Sequence, residues 1–336
     1  MKKYLFVGLG LLLASCSQNT EKSNSASVTN DSIPAHIFKM DSLSNLISKD
    51  SLHATWYFER AHFHIENNDV NSAAFDFQKA LQLDSTKAEY WYSFGELNYI
   101  TNDSRTARDN WERCAKLDPE NVDCRLSLAE MYLAVGELKL GQQKLNEVLK
   151  FDARNAGALF LTGNIALAQK DTVKAVKYVQ SAINENQELF AAYDLLGVLY
   201  SGKGDLLAID YFNAALNLRP YRYDIHYKVG MFYQTLEAYD AAIEAYHRVL
   251  EINPEHKSSL HNIAVIAVFA GDYPRAIDNF TKAIANDMSY LEAYFGRAYA
   301  YELSKEIVKA ESDYRTCLMI EPSYLPAIDA LKRIGK

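Results

Sequence analysis

From residue 54 onward the chain repeats itself every 34 residues, and this period constrains its fold more than any other feature of its 336 residues. Small residues recur at positions 8 and 20 of the repeat, a large one at 24, a small one at 27 and a turn-former near 32. The unit from Tyr223 to His256 carries Gly230, Tyr233, Ala242, Tyr246, Leu250 and Pro254. Ala88–Asn121 supplies Trp91, Gly95, Ala107, Trp111 and Pro119, and Leu291–Tyr324 supplies Tyr294, Ala298, Tyr301, Ala310, Tyr314 and Pro322. Register then sets Ala54–Lys87, Val122–Asn155, Ala156–Leu189, Phe190–Arg222 and Lys257–Tyr290, making eight units. The unit from Phe190 has 33 residues and is expected to lack one between its helices. The unit from Val122 is the least regular, with Gly141 where alanine is expected.

The pattern has a physical reading. Each unit is two antiparallel helices of about a dozen residues, and small side chains at positions 8 and 20 let the backbones approach. The large residue at 24 fills the space beside them, and the small one at 27 (Ala80, Cys114, Ala182, Ala215, Ala283, Cys317) receives the next unit. One pair cannot bury its own apolar face, so neighbours must stack into a continuous core. With 14 Gly and 7 Pro, the composition excludes collagen-like and loop-rich β designs. These residues resemble the tetratricopeptide repeat (TPR) family. The resemblance implies an all-α, right-handed α-solenoid of helix-turn-helix units over residues 54–324. Residues 33–53, with Ile37, Phe38, Leu43, Leu46 and Ile47, are expected to form an N-terminal capping helix or degenerate repeat. Residues 325–336 are expected to cap the other end, with Leu325, Ile328, Leu331 and Ile334 on one side.

The first residues read differently. Lys2 and Lys3 precede an apolar stretch from Tyr4 to Ala14, too short for a bilayer-spanning helix and suited to a secretory signal. Leu13-Ala14-Ser15-Cys16 resembles the lipobox of bacterial lipoproteins. It implies a signal peptide over residues 1–15, cleavage before Cys16, and acylation of that cysteine as the lipid attachment site. The alternative is an ordinary signal peptide that carries a cysteine. Loss of both lysines takes the formal charge from −8 to −10. Residues 16–32 form the anchor and a Ser/Asn/Thr-rich tether with a coil reach of roughly 20–24 Å. Ser17-Gln18 lacks the aspartate of many inner-membrane lipoproteins, so the expected location is the periplasmic face of the outer membrane.

Chemistry is sparse. An acidic chain has no basic face for phosphate, which excludes nucleic acid as a partner. No phosphate loop, nucleophile elbow, HExxH motif or zinc spacing is present, so neither enzyme activity nor any cofactor or metal is expected. Beyond Cys16, three cysteines remain. Cys317 is expected to be buried, and a Cys114–Cys124 disulfide is one option for the other two.

The resemblance places function in the groove lined by the first helix of each unit, at positions 2, 5, 9 and 12. Carried over by register, the rings are Phe58, Tyr92, Tyr99, Phe160, Tyr227, Phe295 and Tyr299. The polar set is Glu89, Glu96, Asp123, Glu130, Asn164, Asp194, Asp224, Gln234, Glu292 and Glu302. Position 5 holds no lysine in any unit, unlike the family's carboxylate clamp for acidic C-terminal tails. The reading is a non-enzymatic scaffold that holds envelope proteins, with the acids favouring Lys- or Arg-bearing segments. The alternative is a glycan-binding module that uses the aromatic groove.

Overall fold

The computed structural model describes residues 35–335. The signal sequence, Cys16 and the tether lie outside the described residues. Within them are 18 helices and no strand. Helix α1 (Ala35–Lys49) precedes eight antiparallel pairs. These are α2 (Ala54–Glu66) with α3 (Val70–Leu83), α4 (Ala88–Ile100) with α5 (Ser104–Leu117), α6 (Val122–Ala134) with α7 (Leu138–Phe151), and α8 (Ala156–Ala168) with α9 (Thr172–Glu185). Then come α10 (Phe190–Ser201) with α11 (Leu207–Leu218), α12 (Tyr223–Thr235) with α13 (Tyr239–Ile252), α14 (Lys257–Phe269) with α15 (Tyr273–Asn286), and α16 (Leu291–Leu303) with α17 (Ile307–Ile320). Helix α18 (Leu325–Arg333) closes the stack. Each helix packs mainly on its partner and on the next unit, the contact pattern of an α-solenoid.

Local chemistry explains why the pairs form. Asp69, Asp103, Asp171 and Asp272 each precede a second helix and accept from its Ser72, Thr106, Lys174 or Arg275 backbone N–H. Just before them, position 15 of all eight units has positive φ: Asn68, Asn102, Gly136, Lys170, Gly204, Glu237, Gly271 and Lys305. The turn between paired helices therefore uses one left-handed residue every time. At the other end of the unit, Asp84, Asp118, Asp152, Asn186 and Asp287 accept from the backbone N–H two residues on and set the path to the next unit.

Between the paired helices, a Cβ on Gly230 would lie 2.5 Å from the Tyr246 ring, and one on Gly197 2.5 Å from Phe212. Position 8 is small because the ring at position 24 occupies that space. Fully buried Trp111, Phe77, Phe212, Tyr246, Phe280 and Tyr314 all stand at position 24. At position 27, Cys114 of α5 forms a disulfide with Cys124 of α6, joining two adjacent units. Cys317, at the same position of its unit, is a buried free thiol that burial pushes up to about 12.

Two expectations are corrected. The 33-residue unit does not simply lack one residue between its helices. Helices α10 and α11 have 12 residues each, whereas the other units pair 13 with 14, and residues 202–206 form a longer connection. Gly204 takes its left-handed position, at φ +70°, while Arg219 and Arg222 each place a guanidinium 4.6 Å from the Phe190 ring and cover it. At the C-terminal end, Leu325 is 68% exposed, and the buried face of α18 is Ala327, Ala330 and Leu331. Pro326 in its first turn and Gly335 at φ +79° just past its end bound the helix.

Candidate functional site

The first helices of neighbouring units touch each other at α6–α8, α10–α12 and α14–α16, and no pair of second helices approaches as closely. The stack therefore curves with the first helices inside, and their groove-side residues form the candidate surface.

Its aromatic rings divide into two kinds. Phe58 stacks on Tyr90 at 4.5 Å and also meets Phe77. Tyr227 lies between His256 (5.0 Å) and Tyr246 (5.8 Å), and Phe295 between Tyr324 (5.7 Å) and Tyr314 (5.5 Å). These position-5 rings are wedges between the ring at position 24 and a ring at the unit boundary, which holds neighbouring pairs in register. Phe160 is only 8% exposed and belongs to the central core. Asn164, one turn on, is also 8% exposed, with no partner for its Nδ2. Both were expected to face the groove, but α8 is apolar on nearly every side and its neighbours cover it. Tyr99 and Tyr299 are the freest of the expected rings, at 41% and 40% exposure. Tyr99 rests on buried Trp111 with ring centres 5.4 Å apart, which holds it in place.

The acids divide too. Asp194 takes two bonds from Lys228 Nζ, at 2.6 and 2.8 Å. Asp224 is held bidentately by Arg222, and Glu302 by Arg333 of α18 with the Tyr314 hydroxyl donating to it as well. Gln234 accepts from the Tyr246 hydroxyl at 2.7 Å, and Glu292 stands exposed on α16. The acids of α4 and α6 have no such cover: Glu89, Glu96, Asp123 and Glu130 form no ion pair among the described residues. Ser127 Oγ donates to Glu96 at 3.1 Å. Burial, then the charge of Glu96, pushes the Glu130 carboxyl up to about 7. Burial also raises Glu96, with Asp123 adding to the effect and Ser127 opposing it. Tyr92 beside them is pushed up to about 12 by burial and the same carboxylates, so its hydroxyl stays protonated as a donor. The negative charge left free for a partner is thus concentrated on α4 and α6.

No group of three or more His, Cys, Asp or Glu among the described residues is placed to hold a metal ion. No described helix is long and apolar enough to cross a membrane.

Comparison with known proteins gives the family. The model described as the cytochrome c-type biogenesis protein H TPR domain matches residues 52–189, and tetratricopeptide-repeat models match residues 221–289 and 291–324. This chain is a TPR protein. A TPR repeat-containing protein of Schizosaccharomyces pombe is 36% identical over 81 residues, which is 24% of this chain and 10% of that relative. Among solved structures, the C-terminal part of a TPR repeat-containing protein from Cytophaga hutchinsonii aligns with 71% of this chain and 99% of its own, at TM-score 0.61 and 19% identity. A chain of the Cut9–Hcn1 hetero-tetramer of the APC/C aligns over 88% of this TPR protein and 58% of its own length, at TM-score 0.50 and 18% identity. These likenesses concern the fold.

Sequence reasoning placed the acids of this TPR groove by register but missed their pairing, because Lys228, Arg222 and Arg333 stand outside the groove positions. A lysine or arginine within reach of the neighbouring helix was the available signal. It also missed an outer cleft between α13 and α14.

Proposed function

We propose that this TPR protein is a non-enzymatic scaffold of the bacterial envelope, holding a partner protein by a Lys- or Arg-bearing segment laid across α4 and α6. The observation that carries the reading is the uneven pairing of groove acids. Asp194, Asp224 and Glu302 are neutralised within the chain, whereas Glu96, Asp123 and Glu130 are left unpaired beside Tyr92 and the exposed Tyr99. Glu96 and Glu130 are half-buried, and such carboxylates without a cation are costly, so a partner's ammonium or guanidinium would remove that cost. Rigid rings with a polar handle at the same place suit an interface anchor. The anchoring half of the proposal rests on residues 2–16, whose pattern supports acylation at Cys16, and on Ser17-Gln18, which supports the periplasmic face of the outer membrane.

The test is cross-linked recovery of partners from membranes with the wild-type chain and with a Tyr99→Ala/Glu130→Gln variant. The variant is expected to lose envelope proteins without losing thermal stability. Equal recovery would remove the groove assignment. In parallel, Cys16→Ala is expected to move the protein from membrane to soluble fractions, and unchanged membrane association would sink the anchor.

A further inference from the structure

At the edge formed by the turns within units, a cleft opens where the start of one unit's second helix faces the end of the next unit's first helix. Two such clefts stand at one register. Between α5 and α6 the volume is about 470 Å³, and between α13 and α14 about 640 Å³. The smaller cleft shows what packing requires there. Its α5 begins with Ser104 and its α6 ends with exposed Ala134, so no large side chain is needed to seat one unit on the next.

The larger cleft has Tyr239 and Phe269 at the same two positions. Their rings stack with centres 6.4 Å apart and 25° between planes. Yet Tyr239 is 36% and Phe269 72% exposed, so the pair contributes little to the core. Ile266 and Ala267 give the cleft an apolar floor. Around it stand Glu237, Asp240 and Asp272 against one cation, Arg275, and none of the four makes an ion pair among the described residues. The smaller cleft is balanced, with Arg105 and Arg108 against Glu112 and Glu137. A solvent-facing aromatic pair that packing does not need, with a net negative rim, has the composition of an interface rather than of a helix junction.

We propose that the cleft between α13 and α14 is a second docking site, which takes a partner segment carrying an apolar side chain flanked by Lys or Arg. The apolar side chain settles against Tyr239 and Phe269, and the flanking cations meet Glu237, Asp240 and Asp272. An acidic segment is repelled by the same rim. The site lies on the outer edge, so a scaffold of this kind could hold one segment in its groove and another here.

Selection of randomised 12-residue displayed peptides on the full chain tests the proposal. Tyr239→Ser/Phe269→Ala copies the chain's own solution at the smaller cleft and should leave the melting temperature within a few degrees of wild type. The expected result is a class of peptides with an apolar residue between Lys or Arg. Their recovery should fall at least tenfold on this double variant and stay unchanged on Tyr99→Ala/Glu130→Gln. Loss of groove-dependent peptides alone would count against the proposed function and leave this site standing. The docking site is overturned if no selected class depends on the ring pair, or if the dependent class lacks Lys and Arg. It is also overturned if the double variant unfolds, since the rings are then structural, or if the pair drives self-association in sedimentation, since the occupant is then a second copy.

Discussion

Position 15 of the repeat shows how one backbone angle acts throughout this chain. Eight units reach positive φ there, but only three use glycine and two asparagine. Lys170, Glu237 and Lys305 hold a conformation that costs an ordinary L-residue about 1–2 kcal/mol. Glycine removes that cost and gives back part of the gain through its freer unfolded chain. Lys305→Gly is therefore expected to stabilise the chain by roughly 0.5–1 kcal/mol, read as a rise in denaturant midpoint. No rise would mean that the turn is held by its flanking helices at no local cost. Glu130 sits in a different balance. Its carboxyl is neutral at low pH and, with a folded pKa of about 7 against an ordinary 4.5, becomes an unpaired charge as pH climbs. A raised carboxyl pKa lowers stability with increasing pH: the fold keeps its full stability below 4.5 and loses it through about 7. Glu130→Gln should match wild type at pH 4 and exceed it by about 1–3 kcal/mol at pH 8. Affinity for a cationic segment runs the other way, rising around pH 7 in wild type and less steeply in the variant, which keeps Glu96. Equal stabilities at pH 8 would show that the Glu130 charge is compensated.

At the scale of helices and units, the sequence was legible wherever one position has one physical task. Positions 8, 20 and 24 describe a close approach and the ring that fills it, so Gly230 with Tyr246 could be paired by counting. Position 5 was not legible in the same way. A ring there can be a packing wedge or a binding anchor, and the choice depends on a second ring about 30 residues on, as with Tyr227 and His256. The burial of Phe160 follows from the all-round apolar character of α8, a property of the whole helix rather than of one position. Cys114 and Cys124 were legible as a candidate pair, but the pairing waited on the geometry of α5 against α6. Their disulfide ties two units together. Closing a segment of 10 residues is worth about 2–3 kcal/mol. Alanine stands at position 27 in four of the other seven units, so Cys114→Ala/Cys124→Ala should fold and lose about that much. Its urea midpoint should no longer respond to reductant, whereas that of the wild type should fall. A wild type indifferent to reductant would exclude the staple.

Over the whole molecule, each unit touches only its neighbours, so stability is a sum of unit and interface contributions and the ends must be covered. Helix α18 does this for the last unit. Ala327, Ala330 and Leu331 lie in one buried cluster with Tyr314 and Cys317, and Arg333 clamps Glu302 at 2.8 and 2.9 Å. That clamp joins residues 31 apart across the final junction and holds the Glu302 carboxyl below the ordinary carboxylate range. Removal of residues 325–336 would expose an apolar face built to be covered and release the Glu302 charge toward Tyr314. The damage should stay local, because helix contacts run to neighbouring units rather than to distant ones. Amide hydrogens of α16 and α17 are expected to exchange at least tenfold faster in the shortened chain, with smaller effects in α14 and α15. Those of α2 to α5 should be unchanged. Uniform acceleration along the chain would mean that it unfolds as one cooperative body, and the nearest-neighbour description of this solenoid would then fail.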